Sequence, residues 1–131
     1  MKKFDISFVN AEFFSSWILT LFRIVIGLIF LEFGTAMTFH FPYLEMFDHL
    51  PMIVKAAGVL HLIGGVALIS GYYARTLSFI LSGEMAVGYF SVHAPQGFFP
   101  IQNGGLPAIT YCFCCLYLFA AGPGKLALNR R

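Results

Sequence analysis

Apolar residues fill four long blocks of this chain, at about 16–39, 52–70, 76–93 and 106–121. Within each block they run on continuously and do not alternate with a period of two, so the blocks predict helices and not strands. A helix needs roughly 20 mostly apolar residues to cross the hydrocarbon of a bilayer. The first two blocks reach that length. The last two are short, which predicts little tilt or some local thinning of the bilayer. Breakers fall between the blocks. Pro42 and Pro51 bracket the first connection, and Gly71-Tyr72-Tyr73 makes a tight second one. Pro95, Gly97, Pro100, Asn103, Gly104, Gly105 and Pro107 crowd the third, and Gly122-Pro123-Gly124 stops the last helix. The expectation is an all-α integral membrane four-helix bundle, with the whole chain, 1–131, as a single transmembrane domain.

Composition supports lipid as the solvent. Hydrophobic residues make up 59% of the 131 residues and charged residues only 11%, against about 25% charged in ordinary soluble domains. A chain this small has too much surface to hide so much apolar area from water. No basic stripe interleaved with aromatics points to nucleic acid, and no small-residue cleavage site marks a signal peptide.

Charge sets the expected orientation. With four crossings, the N-terminus, the second connection and the C-terminus share one side, which carries Lys2, Lys3, Arg75, Lys125, Arg130 and Arg131. The other side has Lys55 alone. The positive-inside rule makes the first side cytoplasmic, giving a multi-pass protein of the cell (inner) membrane with both termini inside. Arg23 lies near that end of the first helix, within reach of the interface by snorkelling. Aromatics such as Trp17 and Tyr72 mark one interface, Tyr43 and Phe98 the other, and the segment 96–101 has the character of an interfacial stretch.

Three ionisable residues fall deep in these helices: Glu32, His61 and Glu84. Such residues are costly in lipid and usually face the bundle interior with a partner. Counting rises from the helix ends puts His61 and Glu84 near the midplane and Glu32 about one turn towards the outer side. His61 shares the closely packed face of its helix with Gly58 and Gly65. Glu32 lies opposite Gly27 and Gly34, so either those glycines face a neighbouring subunit or Glu32 lines a cavity on another side of its helix. Two carboxylates and an imidazole in a dry site can relay protons, bind a quinone carbonyl, hold a metal, or simply tie helices together. The Gly-rich faces suit close helix packing and offer a route to a homo-oligomer.

Other polar residues give weaker signals. His40 and His93 sit at outer helix ends, where a second site with Glu45, Asp48 or His49 is conceivable; solvated capping is the plainer reading. Lys55 and Glu32 are candidates for an ion pair if the first two helices are neighbours. Cys112, Cys114 and Cys115 lie in the last helix without redox-motif spacing, and a thiol in lipid is poorly reactive. They read as small apolar residues.

In order and spacing, several local patterns resemble the DoxX family of small four-helix membrane proteins. They are Arg23 to Gly27 with Phe30 and Gly34; Ala57-Gly58 through His61 to Gly64-Gly65; Gly71 to Arg75; Met85 to His93; Asn103-Gly104-Gly105; and Gly122-Pro123-Gly124-Lys125. His61 stands where the family usually has Glu, and Glu32-Phe33 precede Gly34 where His is common. Leu106 and Pro107 follow the glycines that open the last helix, where the family often has Glu. The resemblance implies kinship to the membrane subunit of a thiosulfate:quinone oxidoreductase, and so a quinone-facing subunit with Glu32, His61 and Glu84 as its catalytic residues and His61 and Glu84 contacting the cofactor. The chain has no haem-attachment, iron–sulfur or dinucleotide motif, so electrons must come from a redox partner protein or a substrate on the outer side. A proton-coupled or small-molecule transporter and an assembly scaffold are the alternatives.

Overall fold

The computed structural model describes residues 11–130, which form five helices and no strands. The helices are α1 (Ala11–Phe39), α2 (Met52–Ser70), α3 (Ala74–Gly88), α4 (Pro100–Asn103) and α5 (Leu106–Ala121). Of these, α1 and α2 are long and apolar enough to cross a membrane. Lys2, Lys3 and Arg131, part of the charge argument above, lie outside the described residues.

Glycine brings α1 and α2 together as antiparallel neighbours. A Cβ on Gly34 would sit 2.7 Å from the Leu62 nitrogen, and one on Gly65 2.7 Å from the Leu31 nitrogen. Gly27 meets Leu68 and Ile69, and Gly58 meets Met37. These glycines therefore serve contact inside one chain, and their faces are not free for a neighbouring subunit. Gly64 carries the next contact, with Leu81 of α3 beneath it. The turn joining α2 to α3 is short because Gly71 (φ 73°) and Tyr73 (φ 50°) both adopt the left-handed conformation, which glycine takes without steric cost. α3 then packs on α5, where the Ser82 hydroxyl donates to the Cys112 carbonyl at 2.8 Å. The main core, including Ile26, Phe30, Leu68, Leu81, Cys115 and Leu118, fills the space among α1, α2, α3 and α5.

α1 begins at Ala11, earlier than the apolar block suggests, with Glu12 in its first turn, where the helix dipole favours negative charge. α3 ends its α-helical geometry at Gly88. Tyr89–His93 forms a wider π-helical turn and Ala94–Gln96 a 3-10 turn. Pro95 accounts for the change, since its ring would collide with the Ser91 carbonyl in a continued α-helix.

Beyond α5 the tail folds back across the bundle. Leu128 and Asn129 donate backbone N–H groups to Ser70 and Gly71, and the Asn129 side chain accepts from the Tyr73 N–H at 2.9 Å. Thr20 accepts from Lys125 N–H at 2.8 Å, and Arg23 donates to the Leu126 carbonyl at 2.6 Å. Arg23 is only 1% exposed: it does not reach for an aqueous interface but ends under the tail. Arg75 donates to the Phe119 and Ala120 carbonyls, the loose end of α5.

Candidate functional site

His61 and Glu84 meet because the α2–α3 turn is so short. His61 lies ten residues before Gly71 and Glu84 eleven after Tyr73, so antiparallel helices leaving that turn place them level. One turn nearer the turn, Gly64 receives Leu81, and the absent side chain lets the helices approach. His61 Nε2 stands 2.9 Å from Glu84 Oε2. The imidazole side chain is 7% exposed and the carboxylate 23%. Phe30 and Phe33 of α1 meet the His61 ring edge-on, with centroids at 5.1 and 6.5 Å. Nδ1 of His61 is buried and has no hydrogen-bond partner among the described residues.

His61 forms part of the wall of a cavity of about 160 Å³. The other walls come from α1 (Phe30, Phe33), α3 (Met85), α5 (Tyr111) and the π-helical turn, which contributes His93. The histidine expected at the outer surface thus shares a cavity with His61. Its ring is held from behind: Nδ1 lies 3.0 Å from the Asn103 carbonyl oxygen. A carbonyl only accepts, so Nδ1 carries the proton and a neutral His93 keeps Nε2 as an acceptor. Asn103 is itself fixed, accepting from the Gly105 N–H at 2.8 Å and donating to the Gly97 carbonyl at 2.9 Å and to the Tyr89 hydroxyl at 3.3 Å. A side chain on Gly105 would strike Tyr89. The Asn103-Gly104-Gly105 sequence is therefore the mount for His93.

Glu32 does not join this group. It is exposed on α1, on the side away from the glycine contact. Leu31 packs against Gly65, which puts Glu32 level with Gly64, about one turn nearer the α2–α3 turn than His61 and not nearer the outer end. Nor does it pair with Lys55. Gly58 is level with Met37, so Lys55 stands about two turns beyond Glu32. Counting along a single helix cannot see this register, which is set by how the glycines of two helices interlock.

The other outer histidines do not assemble a site with His93. His40 Nε2 lies 3.8 Å from Asp48 Oδ1, and Asp48 accepts from the Tyr43 hydroxyl at 2.7 Å. That bond, with lesser help from desolvation and the Asp48 charge, holds Tyr43 above the ordinary tyrosine range. His49 and Glu45 are exposed. Among the described residues no group of three or more His, Cys, Asp or Glu side chains is placed to hold a metal ion. Phe30, Tyr111 and His93 are the cavity residues that sequence reasoning misses. Pro95, two residues after His93, is the available signal that the helix there cannot keep a regular 100° step.

The sequence profile of the DoxX family matches residues 18–94, which include His61, Glu84 and His93. An uncharacterized protein of Haemophilus influenzae is 38% identical over 129 residues, covering 93% of this chain and 96% of its own length. No solved structure matches. With more than half of its residues matched by the family profile, and the order of Gly-rich α2, short turn and His-ended third helix in place, the chain belongs to the DoxX family.

Proposed function

We propose that this protein is a membrane-embedded component of a quinone-linked redox system, in which the cavity takes the ring of the quinone and the His61–Glu84 pair exchanges its protons. The family is membrane-associated. In this reading α1, α2, α3 with its π-helical turn, and α5 form a four-span bundle in the inner membrane with both termini cytoplasmic. The observation that carries the proposal is the 2.9 Å His61–Glu84 contact in the wall of an aromatic cavity that also holds His93 and Tyr111.

Size and lining fit such a group. An apolar cavity of about 150 Å³ accepts benzene, so 160 Å³ suits one six-membered ring, with any isoprenoid tail left among the helices. Phe30, Phe33 and Tyr111 supply faces and edges for that ring. A bound quinone supplies two-electron, two-proton chemistry. The chain's own residues hold and move the protons: the imidazole of His61 at the cavity wall, the Glu84 carboxylate behind it, and His93 opposite with a free nitrogen. Electrons come from a partner protein or substrate on the outer side.

The test is extraction of the protein purified in mild detergent, with mass spectrometry of bound small molecules. Quinone present in the wild type and depleted in His61→Ala and Glu84→Gln, all still folded, is the expected result. Its absence from folded wild-type protein, together with substrate-driven proton flux in liposomes, would replace this reading with a transporter.

A further inference from the structure

Glu32 is the one deep acid of α1 that the cavity does not use, and its surroundings are unusual. It stands seven residues from the outer end of a helix long and apolar enough to span a membrane, so about 10 Å inside that end. It is exposed, and no ion pair or side-chain hydrogen bond engages its carboxylate among the described residues. Even the nearby Thr35 hydroxyl donates to the Glu32 backbone carbonyl and not to its side chain. A carboxylate at that depth facing lipid is costly, and such groups are nearly always covered by a partner.

The surface around Glu32 says what the partner is. Ile18, Leu21, Val25, Leu28, Glu32 and Phe39 are all exposed, and half-buried Thr35 completes the series. Their spacing alternates strictly between three and four residues. That spacing keeps one exposed face in line over three turns on each side of Leu28 and fits the 3.5-residue repeat of a left-handed helix pair. The opposite face of α1 is occupied by α2 through Gly27 and Gly34, so this stripe is the free one.

We infer that α1 pairs with α1 of a second copy through the stripe of Leu21, Val25, Leu28 and Glu32, with the two Glu32 carboxyls hydrogen-bonded to each other across a twofold axis. Copies inserted in the same orientation can be related only by an axis along the membrane normal, so each residue faces its own equivalent at equal depth. Glu32 then meets Glu32. Two carboxyls can share one proton in a single hydrogen bond and shield each other from lipid. A lone polar residue at one core position of a heptad stripe also fixes register and limits the assembly to a pair. This pairing does not depend on what the cavity binds.

Cysteine cross-linking in native membranes tests the inference. Cys112, Cys114 and Cys115 are first changed to Ala, then single cysteines are introduced at Val25, Leu28 and, as an off-stripe control exposed on α2, Ile63. Mild oxidation is expected to give dimers at Val25 and Leu28 and monomer at Ile63. Adding Glu32→Leu should lower the Leu28 dimer yield about three- to tenfold, whereas Glu32→Gln, which keeps a hydrogen-bonding pair, should retain it. Both substitutions are on an exposed face, so folding is preserved and is checked by gel filtration in detergent. Equal cross-linking at all three positions, monomer at all three, or a Leu28 adduct only to a different protein would each overturn the inference.

Discussion

The two ends of this bundle use polar residues in opposite ways. At the end where the tail folds back, Thr20, Arg23, Arg75 and Asn129 all bond backbone groups of their own chain, although Nε and Nη1 of the Arg23 guanidinium are buried without a partner among the described residues. In the other half, His61 and His93 are also buttressed from behind, by Glu84 and Asn103, but the region in front of them is a cavity. Hydrogen bonding alone does not distinguish a lock from a site. The difference is whether the polar groups are turned onto the chain's own backbone or are held so as to leave an opening.

The sharpest way to break this contrast is to disturb the contact on which both halves rest. Gly65→Leu forces a side chain into the Leu31 backbone, where nothing flexible can give. Overpacking typically costs about 1–3 kcal/mol, and backbone clash puts this change at or beyond the upper end. It should abolish monodisperse protein in gel filtration. Gly88→Ala, in helical conformation with open space at its Cβ, should leave monodisperse protein and raise stability by about 0.5–1 kcal/mol.

Next in size is His61→Ala. Losing a hydrogen bond to a charged group is worth about 1.5–3 kcal/mol, so bound quinone in extracts should fall roughly ten- to hundredfold in protein that is less stable, through loss of a buried side chain and its bond to Glu84, but still folded. A fall in stability without a fall in quinone would show the pair to be a helix tie.

Thr20→Val and Asn103→Ala make a matched pair. Each removes the acceptor of a backbone N–H, the part-buried one of Lys125 or the buried one of Gly105, at up to about 1–3 kcal/mol. Both should lower the thermal midpoint in detergent by similar amounts. Only Asn103→Ala, which removes the side-chain bonds that fix the turn whose backbone carbonyl holds His93, should also weaken quinone retention. If Thr20→Val does so equally, the two ends are not independent.

The smallest effect belongs to the exposed loop. Tyr43 donates to Asp48, and its pKa is raised chiefly by that bond. A group raised in the folded state contributes stability that is complete below the ordinary tyrosine range and is lost as pH climbs through the folded value. Asp48→Asn should therefore move the ultraviolet tyrosinate titration of one residue to lower pH and leave stability at neutral pH nearly unchanged.

Much of this architecture is legible in the sequence. Helices in lipid must satisfy their own backbone, so continuous apolar blocks between Gly and Pro clusters mark the helices plainly, and equal depth suggests His61 with Glu84. The short turn at Gly71 is enough to pair them. Two things are hidden. Depth alone groups Glu32 with residues it does not face, because helix register depends on which glycine meets which neighbour. Its place at the end of the third apolar block puts His93 at the surface; Pro95 signals that the helix changes there but not that Tyr89–His93 widens into a π-helical turn with His93 on the cavity. The tail, with its apolar Leu126-Ala127-Leu128, carries no local sign that it closes over Arg23.

That closure has a consequence for biosynthesis. The residues that bond Thr20 and Arg23 leave the ribosome more than 100 positions after the side chains they meet. Until Leu126 arrives, α1 carries a guanidinium that lacks even the one carbonyl it bonds in the folded chain. A stop codon just before Leu126 would yield a chain with α1 to α5 present and the carbonyl that Arg23 meets missing.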